Sequence, residues 1–211
     1  MRTRSQDGSG KSIMHYEQCE PGIEVNGESL GATIDAFKQY PTVVAKYMAK
    51  YGLVKVINGK TEPIDRSAWY PLDKWLAAYQ AIARDVGLNS LYTIGKKIPE
   101  NAAFPPHLTD IKSALTSLDI AYHLNHRKNG VLMFDPKTGV MLEGIGHVRV
   151  EFRDDEKRAM VVCEQPYPCE FDRGLITALA NRFEPMAKTV HDNSAPCRKK
   201  GDSSCTYIVS W

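Results

Sequence analysis

The chain has 211 residues, with 27 basic and 25 acidic side chains, a formal charge of +2, 43% hydrophobic residues and 25% charged ones. That balance excludes a polybasic surface for nucleic acid or an anionic membrane, and the length supports a single domain that buries its core without disulfides. No run of about 18 apolar residues occurs, which excludes a membrane-spanning helix.

The stretch Met1 to Ser12 is polar and rich in Gly and Ser, without the apolar centre of a secretory signal. A cytoplasmic setting is expected, in which the five cysteines are thiols or metal ligands. Residues 1–28 are expected to form a disordered or irregular lead-in. Within them Gly8-Ser9-Gly10-Lys11-Ser12 has a superficial look of a phosphate loop, but Ser5 stands where a glycine is required and no apolar strand precedes it.

From Leu30 to Lys50 a helical pattern runs through Ile34, Phe37, Val43, Val44, Tyr47 and Met48, and Pro41 inside it predicts a break. Tyr70-Pro71 opens an amphipathic helix through Asp85, with Leu72, Trp75, Leu76, Tyr79 and Ile82 on one face and Gly87 closing it. A short helix from Leu88 is expected to end near Gly95, followed by a loop over 99–106. Thr109 or Asp110 then caps a helix to about His126, with Ile111, Leu115, Leu118 and Tyr122 as its stripe and Asn129-Gly130 as its end.

Beyond this point the hydrophobic period changes from 3.6 to 2. Val148, Val150 and Phe152 alternate with charged residues, and a turn at 154–157 leads to a return strand from Ala159 to Glu164. A helix from about Phe171 to Phe183 follows. Strands over 187–192 and 205–211 form a last hairpin. The expected class is α+β: one domain over 29–211, helical over 29–130 and sheet-rich over 131–211, with an antiparallel sheet covered by helices.

Two groups of residues carry chemistry. Asp119, His123 and His126 share a flank of one predicted helix, which reads either as a metal or polar-ligand cluster or as the polar edge of a half-buried helix. Cys169 falls in a Pro-rich turn just before a helix, and Cys197 and Cys205 bracket a short turn with Gly201-Asp202 at its tip. Zinc favours four tetrahedral thiolate or imidazole ligands; these three cysteines supply three, and His191 or Asp192 is the candidate fourth. Cys163 sits at an apolar strand position and reads as a core thiol, and Cys19 as incidental.

Pro-Tyr-Pro-Cys169, the helix near Asp172-Arg173-Gly174, and Cys197 and Cys205 around Gly201 before an apolar last strand resemble the 4-vinyl reductase domain over residues 160–211. That family includes the sensing domains of phenol- and xylene-responsive activators. It is similar in fold to the haem-based nitric-oxide sensors and to subunits of vesicle-tethering complexes. The resemblance implies a structural zinc on Cys169, Cys197 and Cys205 with one further ligand. The carboxylate of the family pattern is replaced in this chain by the pair His191 and Asp192.

The resemblance also implies an apolar pocket for a small, often aromatic molecule, with Trp69, Trp75, Tyr79, Tyr122 and His123 as candidate lining residues. The function expected is a ligand-binding sensor module acting through a homodimer or a signalling partner, with no direct nucleic-acid contact. Two alternatives stay open: a haem-binding gas or redox sensor using His123, His126 or His147, and a zinc-dependent enzyme if water takes the fourth metal position.

Overall fold

The computed structural model describes residues 15–38 and 41–211, so the tail and the phosphate-loop look-alike lie outside the described residues. The expected lead-in is corrected at once. Ile23 and Val25 are 2% and 0% exposed and form β1 (Ile23–Asn26), an inner strand of a sheet. Asn26 then caps α1 (Gly27–Ala36) by accepting from the Ser29 amide at 3.0 Å. α2 (Pro41–Lys50) starts on the proline, where a missing N–H costs nothing, as the predicted break required. A two-stranded hairpin, β2 (Val56–Ile57) with β3 (Lys60–Thr61), follows, and β4 (Trp69–Pro71) pairs with β1.

α3 (Leu72–Asp85) is the helix that the sequence pattern describes. Leu72, Trp75, Leu76, Tyr79 and Ile82 are fully buried at the centre of a core that also takes in α1, α2 and β1. α4 runs from Leu88 to Asn101, past the expected stop at Gly95. Gly95 is a contact point and not a cap: a Cβ there would lie 2.0 Å from the Phe171 carbonyl oxygen, and one at Gly174 would lie 2.1 Å from that of Tyr92. Two helices thus cross backbone to backbone, which only paired glycines permit.

Alanine at Gly174 would gain about 1 kcal/mol in helix propensity, so the clash exceeds any net loss by about that amount. Gly174→Ala is expected to destabilise by about 3 kcal/mol, read as a lower urea midpoint with unchanged slope. A loss under about 1 kcal/mol would mean that the helices part easily.

The predicted helix to His126 is split into α5 (Ile111–Thr116), capped by Asp110, and α6 (Leu118–Leu124). His126 belongs to β5 (His126–Lys128), which pairs with β1 on one side and β6 (Val131–Leu132) on the other. Asn129 (φ 51°) and Gly130 (φ 83°) are the two-residue turn of that hairpin and not a helix end.

The second sheet is antiparallel in the order β7 (Val148–Arg153), β8 (Arg158–Cys163), β10 (Cys205–Ser210), β9 (Lys188–His191). α7 (Cys169–Phe183) lies across it, with Ile176, Leu179 and Ala180 packed against Val161, Tyr207 and Val209. The α+β class holds. Among the described residues no helix is long and apolar enough to cross a membrane.

Candidate ligand cavity and metal centre

A cavity of about 190 Å³ lies between α3, α4, α6 and α7 and is bordered by the loop that carries Phe104. Of the residues expected to line it, Trp75, Tyr79 and Tyr122 do. Trp69 does not: it stands on β4 with the Arg127 guanidinium 4.8 Å from its ring centre. His123 does not either; its ring lies 5.1 Å from that of His147, among polar groups. The sequence reading missed Phe104, Tyr167 and Phe171, whose rings complete the wall; Tyr167 and Phe171 stack at 5.0 Å.

The polar end of the cavity is built from His126, Gln165 and Asp172. His126 Nδ1 donates to the Tyr122 carbonyl at 2.7 Å, which leaves Nε2 to accept from the Tyr167 hydroxyl at 2.9 Å. Burial pushes this histidine down to about 4, so it is neutral near pH 7. Trp75 Nε1 is buried and makes no hydrogen bond of full geometry among the described residues; the Tyr167 hydroxyl is the acceptor it approaches, which leaves room for a better one. No lysine or arginine is among the described lining residues. Cys163 also lines the cavity, and burial raises its thiol well above the usual value, so it stays protonated as the core thiol the sequence suggested.

α7 joins the cavity to the cysteines. Its first residue is Cys169, and one turn on Phe171, Asp172 and Leu175 face the cavity. Cys169 Sγ lies 3.3 Å from Cys205 Sγ and 3.8 Å from Cys197 Sγ, and Cys197 and Cys205 are 3.8 Å apart, with no disulfide among them. Tetrahedral zinc with bonds near 2.3 Å places its sulfur ligands about 3.8 Å apart. His191 completes the group, its ligand atom within 4.8 Å of the three sulfurs. Its Nδ1 is 3.1 Å from Asn193 Oδ1, and its Nε2 is buried without a partner. Asp192, the other candidate, accepts from Ser194 N and Oγ at 2.9 and 2.6 Å, away from the thiols.

The donor set therefore fits zinc by its own arrangement: three converging sulfurs with the His191 imidazole beside them, near enough to Cys205 to help hold its thiol low. The Cys205 thiol is held low, first by the hydrogen bond from Cys169 and then by Arg198, while Cys169 is pushed up by the same shared proton. Arg198 was not anticipated. It is 2% exposed, donates through Nε to Cys205 Sγ at 3.4 Å and forms a buried ion pair with Asp172. Gln165 Nε2 donates to the same carboxylate at 2.6 Å. Burial pushes Asp172 up to about 6 against the pull of Arg198, so near neutral pH the pair is charged.

Of the three histidines considered for haem, only His126 reaches the cavity, and both of its nitrogens are engaged. Haem calls for a free axial donor and for cations near its carboxylates. Among the described lining residues there is no free histidine nitrogen and no cation.

No protein-family model matches this chain, and no curated protein does. The 4-vinyl reductase resemblance therefore rests on its motif residues alone. Solved structures do match. An H-NOX protein from S. oneidensis in the Fe(II)NO state aligns over 88% of this chain and 98% of its own, with 13% identity and a TM-score of 0.60. A Cs H-NOX carrying 4-cyano-phenylalanine gives 88%, 95%, 13% and 0.60. A mutant of T. tengcongensis H-NOX gives 88%, 96%, 12% and 0.57. At such identities the likeness is one of fold, and it bears out the implied relation to the haem nitric-oxide sensors at that level: this chain has the H-NOX fold.

Proposed function

We propose that this chain is a sensor module: a small molecule binds in the aromatic cavity, and α7 passes its presence to a zinc held by Cys169, His191, Cys197 and Cys205. The observation that carries the reading is the shared helix. One turn of α7 supplies both a metal donor and the cavity wall, and Arg198 bridges Cys205 to Asp172 behind it. Four protein donors leave no open position, so the zinc is structural and fixes the last hairpin. The ligand is uncharged and aromatic or otherwise apolar, with an acceptor for Trp75 Nε1. The output goes to a second copy of the chain or to a partner protein. The reduced thiols suit a cytoplasmic address.

Saturating such a site at about 100 Kd adds about 2.7 kcal/mol, roughly 5–10 °C in a chain of this size. Small aromatic molecules with an acceptor are expected to raise Tm by that amount, with a smaller shift in Trp75→Phe. Elemental analysis is expected to find at least one zinc per chain, with one equivalent lost in Cys197→Ser. Zinc below about a tenth of an equivalent would overturn the metal assignment.

Haem binding with gas sensing is a second reading, favoured by the fold comparisons, since the matched structures include studies of heme distortion in the H-NOX family. The fold speaks for haem, the side chains for a neutral molecule. Absorption spectra after haem addition decide between them. A Soret band that disappears in His126→Ala, with no shift from aromatics, would move the assignment to haem.

A further inference from the structure

The described residues hold a second group of metal-type donors, away from the cysteines and outside the cavity. A carboxylate oxygen of Asp119 and one ring nitrogen each of His123 and His147 lie within 4.8 Å of one another. Asp119 and His123 come from α6, and His147 from the loop that enters β7. The helix alone would have joined Asp119 to His123 one turn on and left His126 nearby. The chain instead turns His126 inward to Tyr167, and the loop brings His147 into its place.

Three details go beyond proximity. First, His123 Nδ1 lies 2.8 Å from the Asp119 carbonyl, an acceptor only, so the proton sits on Nδ1 and Nε2 carries the lone pair. That Nε2 is buried and has no partner among the described residues, the side chain is 0% exposed, and Nδ1 of the same ring lies 3.4 Å from Asp119 Oδ1. A buried acceptor without a donor is costly, and a cation relieves it. Second, His147 Nδ1 stands 3.0 Å from Asp119 Oδ2, the spacing of two donors on one small cation, with bonds near 2.0–2.1 Å. Third, the far nitrogen of His147 is 3.0 Å from Glu143 Oε2. Metal-bound histidines characteristically offer their other N–H to such a carboxylate, which fixes the ring and strengthens the donor. The Val148 amide donates to Asp119 Oδ1 at 2.9 Å and holds that carboxylate in position.

We infer that Asp119, His123 and His147 form a second metal site, with Glu143 behind His147, for a divalent cation of the zinc or cobalt class. One carboxylate and two imidazoles suit such an ion and leave its remaining positions to water. The His147 and Asp119 side chains are 20% and 22% exposed, so the ion has a way in. Its place in the fold gives it a consequence. Tyr122, on the same helix, faces the cavity and donates to the Ile145 carbonyl at 2.6 Å. A metal between α6 and His147 therefore clamps the loop around Ile145 to the outer side of the cavity wall.

The site does not depend on the zinc at the cysteines or on the cavity ligand. Cobalt(II) titration of the metal-free full chain reads the two separately. Thiolate-bound cobalt gives intense near-ultraviolet charge transfer, and cobalt on nitrogen and oxygen gives only weak visible bands. Two equivalents are expected, one of each kind. Asp119→Asn and His147→Gln are expected to abolish the second equivalent and leave the thiolate signal unchanged. Glu143→Gln, at an exposed side chain that the fold does not need, is expected to weaken the second equivalent by about 10–100-fold. One equivalent in the wild type, all of it thiolate-bound, overturns the inference. So does a second equivalent that survives all three substitutions.

Discussion

Asp172→Ala is expected to lower stability by about 3–5 kcal/mol near neutral pH, the loss that follows when one partner of a buried ion pair is removed. Arg198 is 2% exposed and has Asp172 as its ionic partner, with Gln165 Oε1 3.4 Å from Nη1. Removing the carboxylate leaves a buried guanidinium with the Cys205 sulfur as its remaining counter-charge, and most of the penalty is that of the under-compensated ion. The double variant Asp172→Leu, Arg198→Met takes both charges away. It is expected to recover at least about 2 kcal/mol of the single loss, because two apolar residues of similar size carry no desolvation cost. Chemical denaturation of the three variants gives the comparison. Equal losses in the single and double variants would mean that Asp172 acts through packing and not through charge.

Acid should weaken the fold through His126. Its folded value is near 4, because burial disfavours the imidazolium, against about 6.5 in an unfolded chain. Above about 6.5 neither state binds the proton and the stability is fully present. As pH falls from there to about 4 the unfolded chain takes up a proton that the folded one refuses. Stability then drops by about 3 kcal/mol and levels off below. Asp172, raised to about 6, works in the opposite sense over much of the same window. In the metal-free chain His147, raised to about 9 by its bond to Asp119 and then by Glu143, is protonated in both states there and adds nothing. The His126 contribution is therefore read as the difference in pH slope between wild type and His126→Gln. A variant that parallels the wild type from pH 6.5 to 4 would show that His126 titrates normally. Proton NMR of the ring would report the same value directly.

What the sequence disclosed depended on whether the responsible partners were near in the chain. α3 was readable because five large apolar residues at helical spacing admit one burial pattern. The three cysteines were readable from the turn around Gly201 and the start of α7. Gly95 was misread as a stop because its reason is Gly174, on a helix far along the chain. Asn129-Gly130 was taken as a helix end because the strand that makes it a hairpin, β6, is only two exposed residues long and shows no alternation of its own. The cavity was half visible. Trp75, Tyr79 and Tyr122 follow from helix faces, whereas Phe104 lies in a loop without periodicity and Trp69 lost its place to Arg127. His147 carried no local signal at all; only the packing of a loop on α6 reveals its neighbours.

The glycine crossing bears on how stiffly the molecule transmits force. Helices that meet through side chains can slip past one another by changing rotamers, and a push at one end fades along the way. α4 and α7 touch through their main chains at Gly95 and Gly174, with nothing between them to yield. They behave as one strut pinned at its middle. A displacement of the cavity-lining Ile98 and Pro99 on α4 has no soft layer to absorb it, and it arrives at Cys169 as a movement of the whole helix end.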